Sequence, residues 1–253
     1  MITVTYNSAA DLARFWSSFV PESDVEWIVV DNASDDGSAD LAEELGARVV
    51  RLDTNLGFGG ANNVGFEEAA GEFVAFVNPD VAAKTQDLVQ LESHLRDHPT
   101  HLVSPQLTHP DGELQPNGRG MPYLAYKVIN RLWPRLLEGR YILAAAQDET
   151  LSCDWLMGAV VAGAKPHLAT LGPWDTRFFV YYEDSDLGLR NKEQGGHSVV
   201  LGAIRWVHGW ARETKTASAS AWRREIPSLV KFYSRYPRLL GIPGRRSTGR
   251  LSG

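Results

Sequence analysis

The chain has 253 residues, 43% of them apolar, one cysteine and a formal net charge of −6. That is enough for one large domain or two small ones with an ordinary core, and it excludes a disulfide framework or a thiolate metal cluster. Residues 222–253 hold eight Lys or Arg and one acid, so the tail's +7 leaves −13 on the first 221 residues, which argues against nucleic acid as a partner. No apolar run approaches the roughly 20 residues of a transmembrane helix. A strand-like run beginning at Met1 leaves no signal peptide to expect.

The chain opens on MITVTYN, a short β-branched strand. AADLARFWSSF follows with Leu12, Phe15, Trp16 and Phe19 at helical spacing. VEWIVVDN is a second strand, GSADLAEELG a helix closed by Gly46, and ARVVRLD a third strand. GGANNVGFEEAAG is a helix closed by Gly71, and EFVAFVNPD a fourth strand. Strands alternating with helices over short connections predict an α/β fold, a mostly parallel sheet with helices on both faces. Ligands of such sheets bind beyond the strands' carboxyl ends. The polar residues there are Thr5, Tyr6 and Asn7, then Asp31 and Asn32, Asp53 and Asn55, and Asn78 and Asp80.

From about Pro110 the rhythm is lost. PDG at 110–112 is a turn, LAYKVINRLWPRLL is helical as far as Pro134, and LMGAVVAGAK is an apolar strand or buried turn. HSVVLGAIRWVHGW is a last strand with His208 near its end, and the Gly, Arg and Ser-rich tail from Ile242 is expected to fray. The other six histidines read as surface or turn residues.

Three segments invite chemistry. NLGFGGANN resembles a dinucleotide loop only weakly, because its glycines follow the third strand and the first loop, YNSAAD, has none. In VNPDV, Asp80 is either a strand-end ligand for a hard cation or part of an Asn-Pro-Asp turn. In FFVYYEDSDLGLR, aromatic residues run into Glu183, Asp184 and Asp186. Acids at a helix start meet the dipole's positive end, and Asp186 and Arg190 stand in ion-pair register. The same cluster could equally hold a catalytic carboxylate. A strand-end His208 is either structural or a metal ligand.

Together VTYN, VDNASDDGS, NLGFGGANN, FVNPDV, CDWLMGA and FFVYYEDSDLGLR resemble, in order and spacing, family 2 inverting glycosyltransferases with the GT-A fold. SPQLTHPDGELQPNGRGMP is similar to the rhamnosyltransferase-like branch, and the resemblance runs from Ile2 to about Trp210. It implies a GT-A domain over 1–221, with a nucleotide-binding half at 1–80 and an acceptor-binding half at 81–221, followed by a basic helix and tail at 222–253. It implies a nucleotide-diphosphate sugar donor, with rhamnose as the branch's sugar, a glycan or lipid-linked acceptor, and a divalent metal, magnesium or manganese. Thr5, Tyr6, Asn7 and Asp31 match the base and ribose pocket, and Asn62 the glycine-rich segment near the nucleotide. Asn78 to Asp80 match the D-x-D metal motif with Asn in first place, leaving Asp80 as its ligand. Trp155 and Gly158 match the acceptor side, and Glu183 and Asp184 the paired acids, with Asp184 the base and Glu183 holding the acceptor. His208 matches a metal-binding histidine.

The resemblance also implies polysaccharide or cell-wall biosynthesis in the cytoplasm, at the inner face of the membrane. Peripheral membrane contact is expected through residues 222–240, where Trp222, Ile226, Leu229 or Val230, and Tyr233 form a helical stripe, and Pro227 must bend or restart the helix. Arg223, Arg224, Lys231 and Arg235 fill its other faces. Two alternatives are a sugar nucleotidyltransferase, which would want a glycine-rich basic loop near the N-terminus, and a carbohydrate-binding pseudoenzyme, which would not need Asp80, Asp184 and His208 intact.

Overall fold

The computed structural model describes residues 1–209 and 219–241, with all side chains among them except those of Arg131 and 219–224. The first half follows the predicted alternation: β1 (Ile2–Thr5), α1 (Ala9–Phe15), β2 (Ile28–Asp31), α2 (Ser38–Glu44), β3 (Arg48–Arg51), α3 (Gly57–Glu68) and β4 (Phe73–Val77). β1 lies between β2 and β4, β3 is the outer neighbour of β2, and every one of these pairings is parallel. Leu12, Phe15, Trp16 and Phe19 are all buried, with the Trp16 ring stacked on Trp27 at 4.6 Å. α3 departs from expectation at its end. Its C-cap is Ala69 in extended conformation, so Gly71 does not close it.

The second half supplies β5 (Val81–Ala82), α4 (Thr85–Asp97), β6 (His101–Thr108), β7 (Leu114–Gln115), β8 (Gly118–Arg119) and α5 (Leu124–Leu132). It continues through β9 (Ile142–Leu143), β10 (Thr150–Cys153), β11 (Trp155–Leu156), β12 (Val160–Ala164), α6 (Lys165–Leu171), α7 (Glu183–Glu193), β13 (His197–His208) and α8 (Ala219–Arg235). The main sheet runs β10-β13-β6-β12-β4-β1-β2-β3, with β5 on β13 and β7 on β6. Here the sheet is mixed. β12 is antiparallel to both β4 and β6, while β13 runs parallel to β6. β8, β9 and β11 form a separate three-stranded sheet.

α8 corrects the expected stripe. Phe232, Tyr233 and Tyr236 are buried against Phe178, Tyr182 and Leu189, whereas Ile226 and Val230 are 49% and 56% exposed. Three large rings bury more apolar surface than two aliphatic side chains, and that sets the helix's rotation. The helix passes through Pro227 without a break in its assignment. The side chains of Trp222, Arg223 and Arg224, and the tail from Ile242, lie outside the described residues.

The remaining histidines are not scattered. His94 on α4 and His98 at its C-cap gather with His101 and His197 at the strand starts, and His98 stacks on His101 at 4.6 Å. No helix among the described residues is long and apolar enough to cross a membrane.

Candidate active site

The first loops assemble on polar side chains at the carboxyl ends of β1 and β2. Buried Thr5 donates its hydroxyl to Asp31 at 2.9 Å, and the other Asp31 oxygen accepts from the Ser34 amide at 3.0 Å. Asn7 sits at φ +53°, where Asn is tolerated, and its side chain accepts from the Asp35 amide. Tyr6 beside it is 54% exposed, a ring left free at the mouth of this pocket. Asn32 binds Asn55 and the Leu56 amide, tying β2 to the start of α3. Asn62 is buried and donates to the Phe58 carbonyl of its own helix.

Gly57, at φ +76°, brings α3 against the aromatic run. A side chain there would collide with the Phe179 carbonyl, which accepts from the Phe58 amide at 3.0 Å.

The short strand β5 explains how two distant residues meet. It follows Asp80 directly and pairs antiparallel with the end of β13, with Val81 opposite His208. Asp80 and His208 are thereby brought to 3.2 Å, Oδ2 to Nε2. The Asp80 carbonyl also accepts from the Gly209 amide, and Trp16 holds Pro79 from behind. On the far side of the imidazole, Nδ1 lies 2.6 Å from Oε1 of Gln115 on β7. An amide oxygen only accepts, so Nδ1 carries a proton, and Nε2 is the nitrogen that faces the carboxylate oxygen. Two lone pairs at that separation repel unless a proton or a cation lies between them. This donor set, one imidazole and one carboxylate with a fixed tautomer, fits a divalent ion. No group of three His, Cys, Asp or Glu side chains suited to a metal occurs among the described residues. A pair matches an ion that takes its other ligands from substrate phosphates and water.

The carboxylate side is reached through β4 and β12. The Asn78 amide donates to the Ala159 carbonyl at 2.9 Å, and one residue earlier the Gly158 amide donates to Asp184 Oδ2 at 3.2 Å. The second Asp184 oxygen accepts from the Ser185 amide and hydroxyl. Two consecutive left-handed residues, Tyr181 at φ +67° and Tyr182 at φ +73°, precede the acids. Such backbone in non-glycine residues is costly and needs support from its surroundings. The support is the α8 aromatic cluster on Tyr182.

The two acids differ. Glu183 is 7% exposed with one oxygen unpartnered, and burial first, then the adjacent Asp184 charge, pushes its carboxyl well above the usual range. Asp184 is half-buried and keeps its two amide donors. The cost of burial therefore falls on Glu183. Asp186 and Arg190 form the expected ion pair at 2.6 Å, joined by the Tyr236 hydroxyl of α8. Trp155 is buried and donates to the Gly120 carbonyl, and Gly188 on α7 lies against it where a side chain would clash. Its ring therefore fixes α7 and does not line an open surface.

Sequence reasoning missed two neighbours. Gln115 lies within SPQLTHPDGELQPNGRGMP, but that segment gave it no role, since its partner lies 93 residues away. Lys127 sits over the Trp155 and Tyr182 rings at 4.9 and 4.5 Å and feels the Asp184 charge. A cavity of about 1220 Å³ lies elsewhere, lined by residues such as Arg140, Leu143, Ser152, Asp154, Gly196 and Ser198, and contains none of the expected site residues. The expected site residues gather instead along a shelf at the strand ends.

The model of "Glycosyl transferase family 2" matches residues 1–154. The chain belongs to glycosyl transferase family 2. It is 29% identical over 244 residues to the N-acetylglucosaminyl-diphospho-decaprenol L-rhamnosyltransferase of Mycobacterium tuberculosis (strain ATCC 25618 / H37Rv), covering 87% of this chain and 78% of that one. Among solved structures, GalNAc-T7 with UDP, GalNAc and Mn2+ superposes with a TM-score of 0.64 at 14% identity, over 96% of this chain and 51% of that one. The mannosyltransferase PcManGT from Pyrobaculum calidifontis, in complex with GDP-Man and Mn2+, gives 0.61 at 19% identity, over 97% and 64%. The chain thus spans about half of the first of these structures and just under two thirds of the second. These likenesses establish the GT-A fold for this family 2 member.

Proposed function

We propose that this family 2 chain is an inverting transferase that moves a sugar from a nucleoside-diphosphate donor to a hydroxyl of a lipid-linked glycan. The observation that carries it is the continuity of the shelf. Asn78, two residues before the Asp80 of the Asp80–His208 pair, and the Asp184 carboxylate are bonded to the adjacent residues Ala159 and Gly158. The donor's nucleoside is read by Thr5, Tyr6, Asn7 and Asp31, with Asn62 close by, and Asn78 flanks the diphosphate. Asp80 and His208 are the residues that would hold a divalent ion, manganese or magnesium, which supplies Lewis-acid charge stabilisation to the diphosphate when bound. Asp184 takes the acceptor's proton as its oxygen displaces the nucleoside diphosphate from the opposite face of the sugar carbon, which inverts that carbon. The half-buried position of Asp184, with both oxygens held by amides, orients it for that role. Gly158 stands on the acceptor side, with Trp155 buried against α7, and Glu183, whose second oxygen is buried without a partner, is the acid assigned to hold the acceptor.

Rhamnose as the sugar is supported by the mycobacterial relative, whose name also specifies a lipid diphosphate acceptor. A role in polysaccharide or cell-wall assembly at the cytoplasmic face of the membrane is part of the same proposal. Peripheral contact through 222–240 has only exposed Ile226 and Val230 in its favour among the described side chains, because Arg235 is engaged with Asp175 and Lys231 with the Arg177 carbonyl, and it is not part of this proposal. The test is a transfer assay with a panel of nucleoside-diphosphate sugars and lipid-linked acceptors, with manganese, with magnesium and with chelator. Metal-dependent transfer with inversion is the expected result. Release of pyrophosphate from a nucleoside triphosphate would favour a nucleotidyltransferase, and binding without turnover a pseudoenzyme.

A further inference from the structure

Away from the shelf, large exposed apolar side chains concentrate at one place. Val128, Leu132 and Leu136 are 51%, 57% and 69% exposed, and Trp133 beside them is 60% exposed. Val128 and Leu132 stand one turn apart on α5, and Leu136 follows in the 3-10 turn Pro134–Leu137. The opposite face of the same helix is also apolar. Tyr126 and Ile129 pack on Leu137, Tyr141 and Trp155. A helix that only covers a core turns polar residues outward. Four large apolar groups facing solvent side by side mark an interaction surface.

Charge narrows the partner. From Leu114 to Leu137 there is no Asp or Glu, and although Arg119 and Lys127 turn inward, Arg135 is exposed. Arg135 and Arg140 are exposed beside the apolar row, with Glu138 the one acid between them. Apolar side chains with a tryptophan among them, edged by arginines, match the boundary between headgroups and acyl chains of an anionic bilayer. A second copy of the chain fits less well, because a two-fold contact would set one acid-poor stretch against another. Lys127 ties the surface to the chemistry, since it projects from the other side of α5 onto the Trp155 and Tyr182 rings.

We propose that the outer face of α5 and its following turn is a lipid-contact surface, seating the Asp184 side of the shelf against an anionic membrane. Its value to catalysis rests on the lipid-linked acceptor proposed above, because an acceptor held in a bilayer would arrive at this edge. Binding to a membrane does not rest on it.

The test is co-sedimentation of the full chain with phosphatidylcholine vesicles, with and without phosphatidylglycerol, at low and high salt. Wild-type protein is expected to bind the anionic vesicles at low salt. The triple variant Leu132→Ser, Trp133→Ser, Leu136→Ser is expected to lose at least about tenfold in partitioning. Its melting temperature should be unchanged, since the three side chains are exposed. A control, Ile226→Ser with Val230→Ser, should bind as wild type does. The proposal is overturned if wild type fails to bind, if the triple variant binds equally well, or if only the α8 control loses binding. It is also overturned if wild type is a dimer that the triple variant dissociates while vesicle binding stays absent. Titration with a nucleoside diphosphate, run on the same proteins, reads the transferase reading separately. Vesicle binding by protein that ignores every nucleoside diphosphate would sink that reading and support this surface.

Discussion

At the scale of single residues, the site divides labour between side chains of the same type. Glu183 and Asp184 are adjacent acids, but one is buried and the other half-open between two amides. Asp184→Asn should keep nucleoside-diphosphate binding and lower turnover by about 10²–10⁴-fold, the usual contribution of a general base. Near wild-type turnover in that variant would remove Asp184 from the role. At the other end of the shelf, Gln115 sets which nitrogen of His208 carries the proton. Gln115→Leu should weaken manganese affinity by about 10–100-fold while leaving the fold intact. His208→Ala and Asp80→Ala should weaken metal and donor binding together, because one ion bridges protein and diphosphate. Calorimetry with manganese and a nucleoside diphosphate separates these outcomes, and a His208→Ala titration matching wild type would show that His208 holds no metal.

At the scale of elements, helices secure the positions that loops present. The rings before the acids dock α8, which in turn supports the left-handed pair Tyr181 and Tyr182. Phe232→Ala removes the centre of that cluster and should cost about 3–5 kcal/mol of stability, the usual range for a buried phenylalanine. Chemical denaturation measures it, and a loss below about 1 kcal/mol would mean that α8 is dispensable to the fold. α4 carries a different liability. Burial, then the neighbouring His94, His98, His197 and His167, lowers His101 to about 4. Its folded-state value lies below the unfolded one, so the folded state resists protonation. The stability is fully present above about pH 6.5 and is lost as the pH falls from there towards 4. The melting temperature should drop over that window, and His101→Gln should flatten the drop. A profile as steep in the variant as in wild type would place the acid sensitivity elsewhere.

What the sequence revealed at these two scales follows from how local each signal is. The first four strands and three helices were legible because hydrophobic period and turn residues act within a few positions. Asp80, Asp184 and His208 were visible as polar residues at element ends, and a resemblance gave them roles. The Gln115–His208 contact was not legible, because β7 is two residues long and its partner lies across the sheet. The rotation of α8 was decided by rings elsewhere in the chain, which no periodicity within the helix reports. His94 and His98 stood at helical spacing, a signal that went unread because the third and fourth members arrive through β6 and β13.

At the scale of the molecule, an all-parallel half is joined to a mixed half that carries Asp184, His208 and the exposed apolar row of α5. The halves meet where β12 pairs antiparallel with β4, and β5, two residues long, ties the chain after Asp80 to the last residues of β13. Asp80 and His208 are separated by about half the chain, so their pairing is among the most non-local contacts in the fold. During synthesis the donor-side turns can therefore be complete while the imidazole has yet to emerge. The carboxylate–imidazole pair then exists only once the closing strand has docked, which makes metal affinity a reporter of finished folding in a refolding experiment.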